Sequence, residues 1–162
     1  MKSLLILGSG GHGQVVKEVA KACGYQNISF LDDNSSIAIG KIKDLKNFSE
    51  YSDVFVSIGI GNLREELLSL AKSLNFNIPT LIHPSAYVSE SAQLGDGCIV
   101  EPKAVINSNV QIEEGCIISI GALVDHNVVI KKYSQVNTGC IVKTGSIINS
   151  YKKLEVGEVV YK

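Results

Sequence analysis

The stretch "VINSNVQIEEGCIISIGALVDHNVVI", from Val105 to Ile130, decides the fold of the second half of the chain. An aliphatic residue stands at every sixth position of this stretch, from Ile106 to Ile130. The same period continues in both directions, giving fourteen consecutive aliphatic positions: Ile82, Val88, Leu94, Val100, Ile106, Ile112, Ile118, Val124, Ile130, Val136, Val142, Ile148, Leu154 and Val160. This repeat is typical of a hexapeptide β-helix, in which each repeat is one short strand followed by a turn.

A second position of the repeat carries mostly small residues, four places after each aliphatic residue: Ala86, Ala92, Cys98, Ala104, Val110, Cys116, Ala122, Val128, Ser134, Cys140 and Ser146. Three hexapeptides make one triangular coil, so residues eighteen apart stack about 4.8 Å from one another. A narrow prism has no room for a bulky side chain at this position in every coil. We therefore expect Cys98, Cys116 and Cys140 to be core residues.

The first half of the chain alternates apolar strand patterns with helical patterns. We expect strands at Leu4 to Leu7, Ile28 to Leu31 and Asp53 to Gly59, and helices over Gln14 to Cys23 and Leu63 to Leu74. Strands that alternate with helices indicate a small parallel sheet of βαβ units. The sequence thus predicts an α/β domain at residues 1–80 and a β-helix at residues 81–162.

The glycine-rich segment "GSGGHG", Gly8 to Gly13, follows the first strand and precedes the first helix. It fits GxGxxG, in which glycines let the backbone approach a pyrophosphate at a helix N-terminus. Asp32 ends the second strand, where an acid can accept hydrogen bonds from a ribose. About eighty residues are enough for one mononucleotide half, so this half-Rossmann-like domain suits a nucleotide or nucleotide sugar better than NAD.

Two further features accompany this loop. His12 places a polar ring among the glycines, where we expect it to contact a ligand. The segment "SIGIGN", Ser57 to Asn62, follows the third strand at the same edge of the sheet, where ligands of open α/β sheets bind. A binding role and an ordinary turn capped by Asn62 both remain open for this segment.

His126 is the second residue after the inward Val124, so it belongs to a turn or outer face. Asp125, Asn127 and Gln135 add polar groups near it in sequence. An imidazole that titrates near neutrality suits the role of general base. His83 has no such neighbours, and we expect it to be structural.

Composition excludes several classes of function. The net charge is -1 and the lysines are scattered, which argues against nucleic acid binding and against docking on a membrane. The apolar start is too short for a signal peptide, and no stretch reaches the length of a membrane span, so we expect a cytoplasmic protein. The four cysteines form no CxxC pair, which argues against a metal site.

Together the motifs resemble the PglD/NeuD-like sugar acetyltransferases. The residues that carry the resemblance are "GSGGHG", "FLDD" (Phe30 to Asp33), "SIGIGNLR", "LIHPSAYVS" and "GALVDHNVVI". The resemblance implies a left-handed β-helix, a homotrimer, and acetyl-CoA bound between subunits as co-substrate without a metal. It also implies direct attack of a UDP-linked amino sugar on the thioester.

The resemblance also assigns roles to residues. His126 is implied as the general base, with Asp125 as the adjacent carboxylate. The nucleotide-sugar contacts are implied to be Gly10, Gly11, His12, Asp32, Asp33, Gly59 and Asn62. Gln135 and the backbone N–H near Thr144 are implied as contacts of acetyl-CoA, the latter as donor to the oxyanion.

The chain departs from the family pattern at three positions near the implied base. Asn127 stands where an acid usually follows the catalytic histidine, Gln135 replaces a second histidine, and Thr144 replaces a glycine. The repeats are also fewer than the family pattern. We therefore predict an N-acetyltransferase acting on a UDP-linked 4-amino-4,6-dideoxy sugar. The alternatives are a NeuD-like O-acetyltransferase of a sialic-acid-type sugar and a non-catalytic sugar-nucleotide-binding trimer, with an NAD-dependent oxidoreductase as the most distant.

Overall fold

The computed structural model describes residues 2–161, and the chain divides into two compact units, Met1–Pro79 and Thr80–Lys162. The elements of the first unit are β1 (Ser3–Leu7), α1 (Gly11–Ala22), β2 (Asn27–Leu31), a 3₁₀ helix (Ile42–Asn47), β3 (Asp53–Val56) and α2 (Gly61–Ser73). The three strands form a parallel sheet in the order β2-β1-β3, as the alternation of strand and helix patterns predicts. The central strand β1 is buried along its whole length, which explains its continuous apolar run.

Several boundaries differ from the sequence-based expectation, among them the start of α2 at Gly61 instead of Leu63. Helix α1 begins at Gly11, three residues before the predicted Gln14, because Gly10 is its N-cap in an extended conformation. Strand β3 ends at Val56 rather than at Gly59. The earlier start of α1 shortens the connection between β1 and α1, and the end of β3 moves back by three residues; both lie at the carboxyl edge of the sheet, where the glycine-rich segments are.

The second unit consists of two-residue strands. They are β4 (Leu81–Ile82), β5 (Tyr87–Val88), β6 (Gln93–Leu94), β7 (Ile99–Val100), β8 (Val105–Ile106), β9 (Gln111–Ile112), β10 (Ile117–Ile118), β11 (Leu123–Val124), β12 (Val129–Ile130), β13 (Gln135–Val136), β14 (Ile141–Val142), β15 (Ile147–Ile148) and β16 (Val159–Val160). They form three parallel sheets: face 1 (β4, β7, β10, β13), face 2 (β5, β8, β11, β14, β16) and face 3 (β6, β9, β12, β15).

The register between coils is eighteen residues, as the hexapeptide period predicts. Val124 pairs with Ile106 below it and with Val142 above it, and the other faces repeat this spacing. The inward aliphatic residues and the small residues form one continuous core, which includes Cys98, Cys116 and Cys140. The expectation that these cysteines are core residues is therefore confirmed.

A third periodic position becomes visible in the structure. Eleven successive residues, each three places after an inward aliphatic residue, have a positive φ: Gly97, Lys103, Asn109, Gly115, Gly121, Asn127, Tyr133, Gly139, Gly145, Tyr151 and Gly157. They form the corners of the prism, where the chain turns from one face to the next. Glycine and asparagine adopt this left-handed conformation most readily, and they occupy eight of the eleven corners.

Candidate active site

His126 lies at the corner between face 2 and face 3, directly after β11. Val124 points into the core, and the backbone N–H of Asp125 donates to the carbonyl of Val142 in the next coil. Asn127 then takes its left-handed conformation at φ 58° and donates its N–H to the carbonyl of Ser108 in the coil below. The imidazole is consequently exposed at a corner whose backbone is bonded on both sides.

The ring of His126 has two partners, and both contact the same nitrogen. The side-chain amide nitrogen of Asn127 lies 2.9 Å from His126 Nδ1, and the hydroxyl of Thr144 lies 3.1 Å from it. The same Thr144 hydroxyl also lies 3.0 Å from the carbonyl oxygen of His126. Nε2 is on the opposite side of the ring from these contacts, so it is the nitrogen available to a reactant.

Asp125 supports the backbone of the corner rather than the ring. Its Oδ1 accepts a hydrogen bond of 2.8 Å from the backbone N–H of His126 and one of 3.2 Å from the side chain of Asn107. The N–H of His126 is the largest cause of a lowered pKa of Asp125, and the N–H of Thr144 contributes too. Asp125, implied as the carboxylate adjacent to the base, thus contacts the main chain of His126 rather than its ring.

An open depression of about 310 Å³ lies on face 2 beside this corner. Its lining consists of an apolar row and a polar row: Val105, Leu123, Val124 and Ile141, with Asn107, Asp125 and Lys143. The outward side chains of Val105, Leu123 and Ile141 are exposed. The depression can therefore receive a mixed apolar and polar ligand or a second protein surface.

The two residues implied as acetyl-CoA contacts lie on different parts of the β-helix. Thr144 lies at the His126 corner, one coil above it. Gln135 begins β13 on face 1, and its backbone pairs with Ile117. His126 and Gln135 are thus separated by the whole of face 3 within one chain.

In the first unit the glycine-rich segment is fixed by hydrogen bonds to two other strands. The N–H of Gly8 donates to the carbonyl of Leu31, and the Ser57 hydroxyl lies 2.9 Å and 2.7 Å from the carbonyls of Leu7 and Gly8. The N–H and hydroxyl of Ser9 both donate to Asp32 Oδ2 at 2.8 Å. The segment therefore has one defined conformation at the carboxyl edge of the sheet.

The glycines of this edge fall into two groups. A Cβ added at Gly13 would lie 2.4 Å from the carbonyl oxygen of Gly8, so the packing of α1 against the loop requires glycine there. A Cβ added at Gly10, Gly11 or Gly59 would have no heavy atom within 4 Å among the described residues, apart from their own chain neighbours. These three glycines are exposed, and a Cβ there would project into open space.

Asp32 and Asp33 also hold the backbone of this edge. Besides the two bonds from Ser9, Asp32 accepts one at 2.9 Å from the N–H of Asn34, and these bonds lower its pKa. Asp33 accepts a bond of 3.1 Å from the N–H of Ile42. A carboxylate offers about four acceptor sites, so Asp32 keeps one and Asp33 three for a ligand.

His12 and Arg64 form a pair that sequence analysis found only in part. His12 is half-buried, and its pKa is lowered to about 4, first by burial and then by the charge of Arg64. Arg64 is buried and donates to the carbonyls of Ile58 at 2.7 Å and Gly59 at 3.1 Å. The sequence-based prediction did not include Arg64. It is the one arginine of the chain, and this could have drawn attention to it.

Asn62 does not cap α2. The N-cap of α2 is Ile60, without a side-chain cap, and Asn62 lies exposed in the first turn of the helix. The interpretation of "SIGIGN" as a turn capped by Asn62 is therefore wrong, because the helix already begins at Gly61. Asn62 remains accessible from solvent near Gly59.

Two structural findings concern residues 2–161 as a whole. Within that range no group of three or more histidine, cysteine, aspartate or glutamate side chains is arranged to hold a metal ion. No helix formed by these residues has both the length and the apolar character needed to cross a membrane.

The chain is similar to known acetyltransferases. Residues 3–71 match the family described as PglD N-terminal domain. A curated relative, UDP-N-acetylbacillosamine N-acetyltransferase of Bacillus subtilis (strain 168), is 34% identical over 115 residues. That match covers 61% of this chain and 51% of the relative, so it spans about half of the relative's length.

Several solved structures match almost the whole chain. The acetyltransferase domain of PglB from Neisseria gonorrhoeae FA1090, in complex with acetyl coenzyme A, is 32% identical with a TM-score of 0.82, and the match covers 98% of this chain and 87% of that one. PerB from Caulobacter crescentus, in complex with CoA and GDP-perosamine, is 30% identical with a TM-score of 0.88, covering 100% and 90%. The predicted fold class, a Rossmann-like α/β domain followed by a left-handed parallel β-helix, is confirmed.

Proposed function

Because this chain belongs to the PglD-like family of sugar acetyltransferases, we propose that it transfers the acetyl group of acetyl-CoA to the amino group of a nucleotide-linked sugar. The similar solved structures contain acetyl coenzyme A in one case and CoA with GDP-perosamine in the other. For the acceptor we propose a UDP-linked 4-amino-4,6-dideoxy sugar, since the curated relative is named for a UDP sugar. A cytoplasmic location stays a prediction.

The observation that carries the proposal is the exposed imidazole of His126, whose Nδ1 contacts Asn127 and Thr144 while Nε2 faces away from them. In the proposed reaction the sugar amine attacks the thioester carbonyl carbon and forms a C–N bond. Nε2 of His126 accepts the proton that the amine loses, and the C–S bond of the tetrahedral intermediate then breaks. The proton passes to the departing CoA sulfur, so the products are the amide and CoA. A base placed in this way typically contributes 10²–10⁴-fold in rate.

The acceptor's nucleotide is proposed to bind at the carboxyl edge of the sheet in the first unit. Gly10, Gly11 and Gly59 support this, because nothing inside the described structure requires them to be glycine. Close approach of phosphate oxygens to backbone N–H groups at the start of α1 does require it. The neutral ring of His12 and the remaining acceptor sites of Asp32, Asp33 and Asn62 can then bind ribose or base.

We further propose that the chain acts as a homotrimer with shared sites. Gln135 and His126 lie on opposite sides of face 3, so a site that uses both takes them from two subunits. Face 2 offers an apolar surface for such contact: Tyr87, Val105, Leu123, Ile141 and Val159 follow one another in register, all exposed. In this arrangement Gln135 and the Thr144 backbone contact acetyl-CoA.

The test is steady-state acetyl transfer with UDP- and GDP-linked amino sugars and acetyl-CoA. We expect His126→Ala to lower kcat by about 10²–10⁴-fold and to leave binding of the sugar nucleotide, measured by calorimetry, unchanged. His83→Ala is the control, since His83 also lies just after a strand of the β-helix but its Nδ1 contacts Ser85. Equal losses in the two variants would refute the role of His126.

The same experiment separates the alternatives. Transfer to a sugar hydroxyl but not to an amine would replace the proposal with O-acetylation. Binding of a nucleotide sugar without measurable binding of acetyl-CoA would replace it with a non-catalytic binding protein.

A further inference from the structure

We propose that the side chain of Thr144 is a positioning residue for the base: its hydroxyl accepts a hydrogen bond from Nδ1–H of His126 and donates its own proton to the His126 carbonyl. This arrangement fixes the tautomer in which Nε2 carries the lone pair. The inference rests on the proposed function, because it concerns which nitrogen takes the proton of the amine. It goes beyond that function by assigning a role to a side chain where the family pattern has none.

The hydroxyl of Thr144 has one proton to donate and two neighbouring partners, the carbonyl oxygen and Nδ1 of His126. Thr144 Oγ1 lies 3.0 Å from the carbonyl oxygen of His126, and a carbonyl can only accept. The single hydroxyl proton is therefore directed to this oxygen, which also accepts from the N–H of Gly145 at 3.2 Å. A carbonyl oxygen has two lone pairs, so both bonds can be made at once. Toward Nδ1, at 3.1 Å, the hydroxyl then offers only an acceptor.

Asn127 is the other partner of the His126 ring. The side-chain nitrogen of Asn127 faces Nδ1 at 2.9 Å, and an amide nitrogen can only donate. These two partners make opposite demands on Nδ1 when the ring is neutral. A half-turn of the amide places Oδ1 at the same position and removes the conflict, since the two ends of an amide have nearly the same shape. Thr144 has no such freedom while its proton is held by the carbonyl.

The left-handed backbone conformation at residue 127 explains why an asparagine stands there. Asn127 occupies a corner with φ 58°, where asparagine and glycine are favoured. Its neutral side chain cannot stabilise an imidazolium as a carboxylate does. Orientation of the ring thus passes to residue 144, eighteen residues later and one coil above, a position that only the stacking of coils brings to His126.

The charged groups around the corner are the same in every variant proposed below, except where Asn127 itself is changed. Among the described residues they are Asp125 and Lys143, which directly follow β11 and β14 and line the depression, and Glu90, two coils below His126 in the same column. A change in the tautomer ratio of His126 after substitution of Thr144 therefore reports on the lost hydroxyl.

The experiment compares Thr144→Val, which keeps the shape and removes the hydroxyl, with Thr144→Ser, which keeps the hydroxyl. Thr138→Val is the matched control, because Thr138 occupies the same position of the hexapeptide at another corner. Nitrogen NMR of the His126 ring measures the ratio of tautomers without any substrate. We expect Thr144→Val to shift that ratio toward the Nε2–H form by about 2- to 12-fold, the range of one ordinary hydrogen bond.

In activity assays we expect Thr144→Val to lower kcat by a similar factor with little change in KM, and Thr144→Ser to stay near wild type. Adding Asn127→Asp to Thr144→Val should restore the tautomer and raise kcat, because a carboxylate also accepts from Nδ1–H. Thr144→Ala serves if the valine variant does not fold. An unchanged tautomer ratio in the valine or alanine variant would overturn the proposal.

Failure of the proposed function has a different signature. If the wild-type protein transfers no acetyl group to any amino sugar, the reaction is wrong. The NMR comparison still decides in that case whether Thr144 sets the tautomer of His126.

Discussion

Two glycines of the same loop should fail in different ways when each is replaced by alanine. Gly10 and Gly13 are three residues apart in "GSGGHG", and both belong to the GxGxxG pattern. In the structure a Cβ at Gly13 would lie 2.4 Å from the carbonyl oxygen of Gly8 and 3.3 Å from Ser57 Oγ. A Cβ at Gly10 would contact nothing within 4 Å. One position is therefore required by the fold, and the other is open for a ligand.

Gly13→Ala forces the backbone of α1 away from the loop. Overpacking of this kind typically costs about 1–3 kcal/mol, so we expect a lower melting temperature and weaker binding together. At Gly10 the backbone has φ -65° and ψ -167°, which alanine can adopt. Loss of glycine at the N-cap is partly offset by the lower entropy of the unfolded chain, so the free energy of unfolding should change by less than about 0.5 kcal/mol.

Binding of the sugar nucleotide should nevertheless weaken in Gly10→Ala. The added methyl group keeps the phosphates from the N–H groups at the start of α1, and one charge-assisted hydrogen bond is worth about 1.5–3 kcal/mol. The Kd should therefore rise by roughly 10- to 150-fold. Calorimetry with the UDP-amino sugar measures this change, and a thermal melt measures stability. Wild-type affinity in a folded Gly10→Ala variant would refute the assignment of the phosphates to this loop.

Three further predictions follow from other parts of the molecule. The pKa of His12 is lowered from 6.5 to about 4, so the unfolded chain binds more protons than the folded chain between these pH values. The free energy of unfolding should therefore fall as the pH drops from 6.5 to about 4. In thermal melts of His12→Asn, much of this pH dependence should be lost. Gly115→Ala should destabilise by about 1–3 kcal/mol more than Gly121→Ala in denaturant titrations, since both have positive φ but only the Cβ at 115 would clash, at 2.4 Å, with the ring of Tyr133. Leu123→Glu should convert the proposed trimer to monomers in light scattering and abolish acetyl transfer, while the circular dichroism spectrum stays unchanged. An active monomer would contradict the proposed shared site.

The hexapeptide period predicts the β-helix because it is a property of every coil. Each inward aliphatic residue is chosen by the same packing requirement, so the signal is repeated fourteen times and the eighteen-residue register follows from it. The corner position was equally periodic and could have been read from Gly97, Asn109, Gly115, Gly121 and Asn127. It was missed because two tyrosines and a lysine interrupt the pattern, and these residues rarely adopt a positive φ.

The sequence predicts some residues of the candidate site but not the residues that contact them. His126 and the glycine-rich loop stand out by residue type and local spacing. The partners of His126 do not, because Thr144 reaches the ring from the next coil and Asn127 is favoured by the backbone of its corner. Arg64 likewise acts on His12 across the fold.

In both units a carboxylate fixes the backbone beside the candidate functional residues, and the two sites differ in which groups remain open to a ligand. In the first unit, carboxylates are occupied by backbone N–H groups, as in Asp32 with Ser9 and Asn34, and glycines leave the remaining N–H groups open to a ligand. In the second, the carboxylate of Asp125 is likewise bound to the backbone, so the imidazole keeps only neutral hydrogen-bonding partners. These partners orient the ring without placing a charge beside it, and Nε2 is the nitrogen that we propose accepts the proton of a sugar amine attacking a thioester.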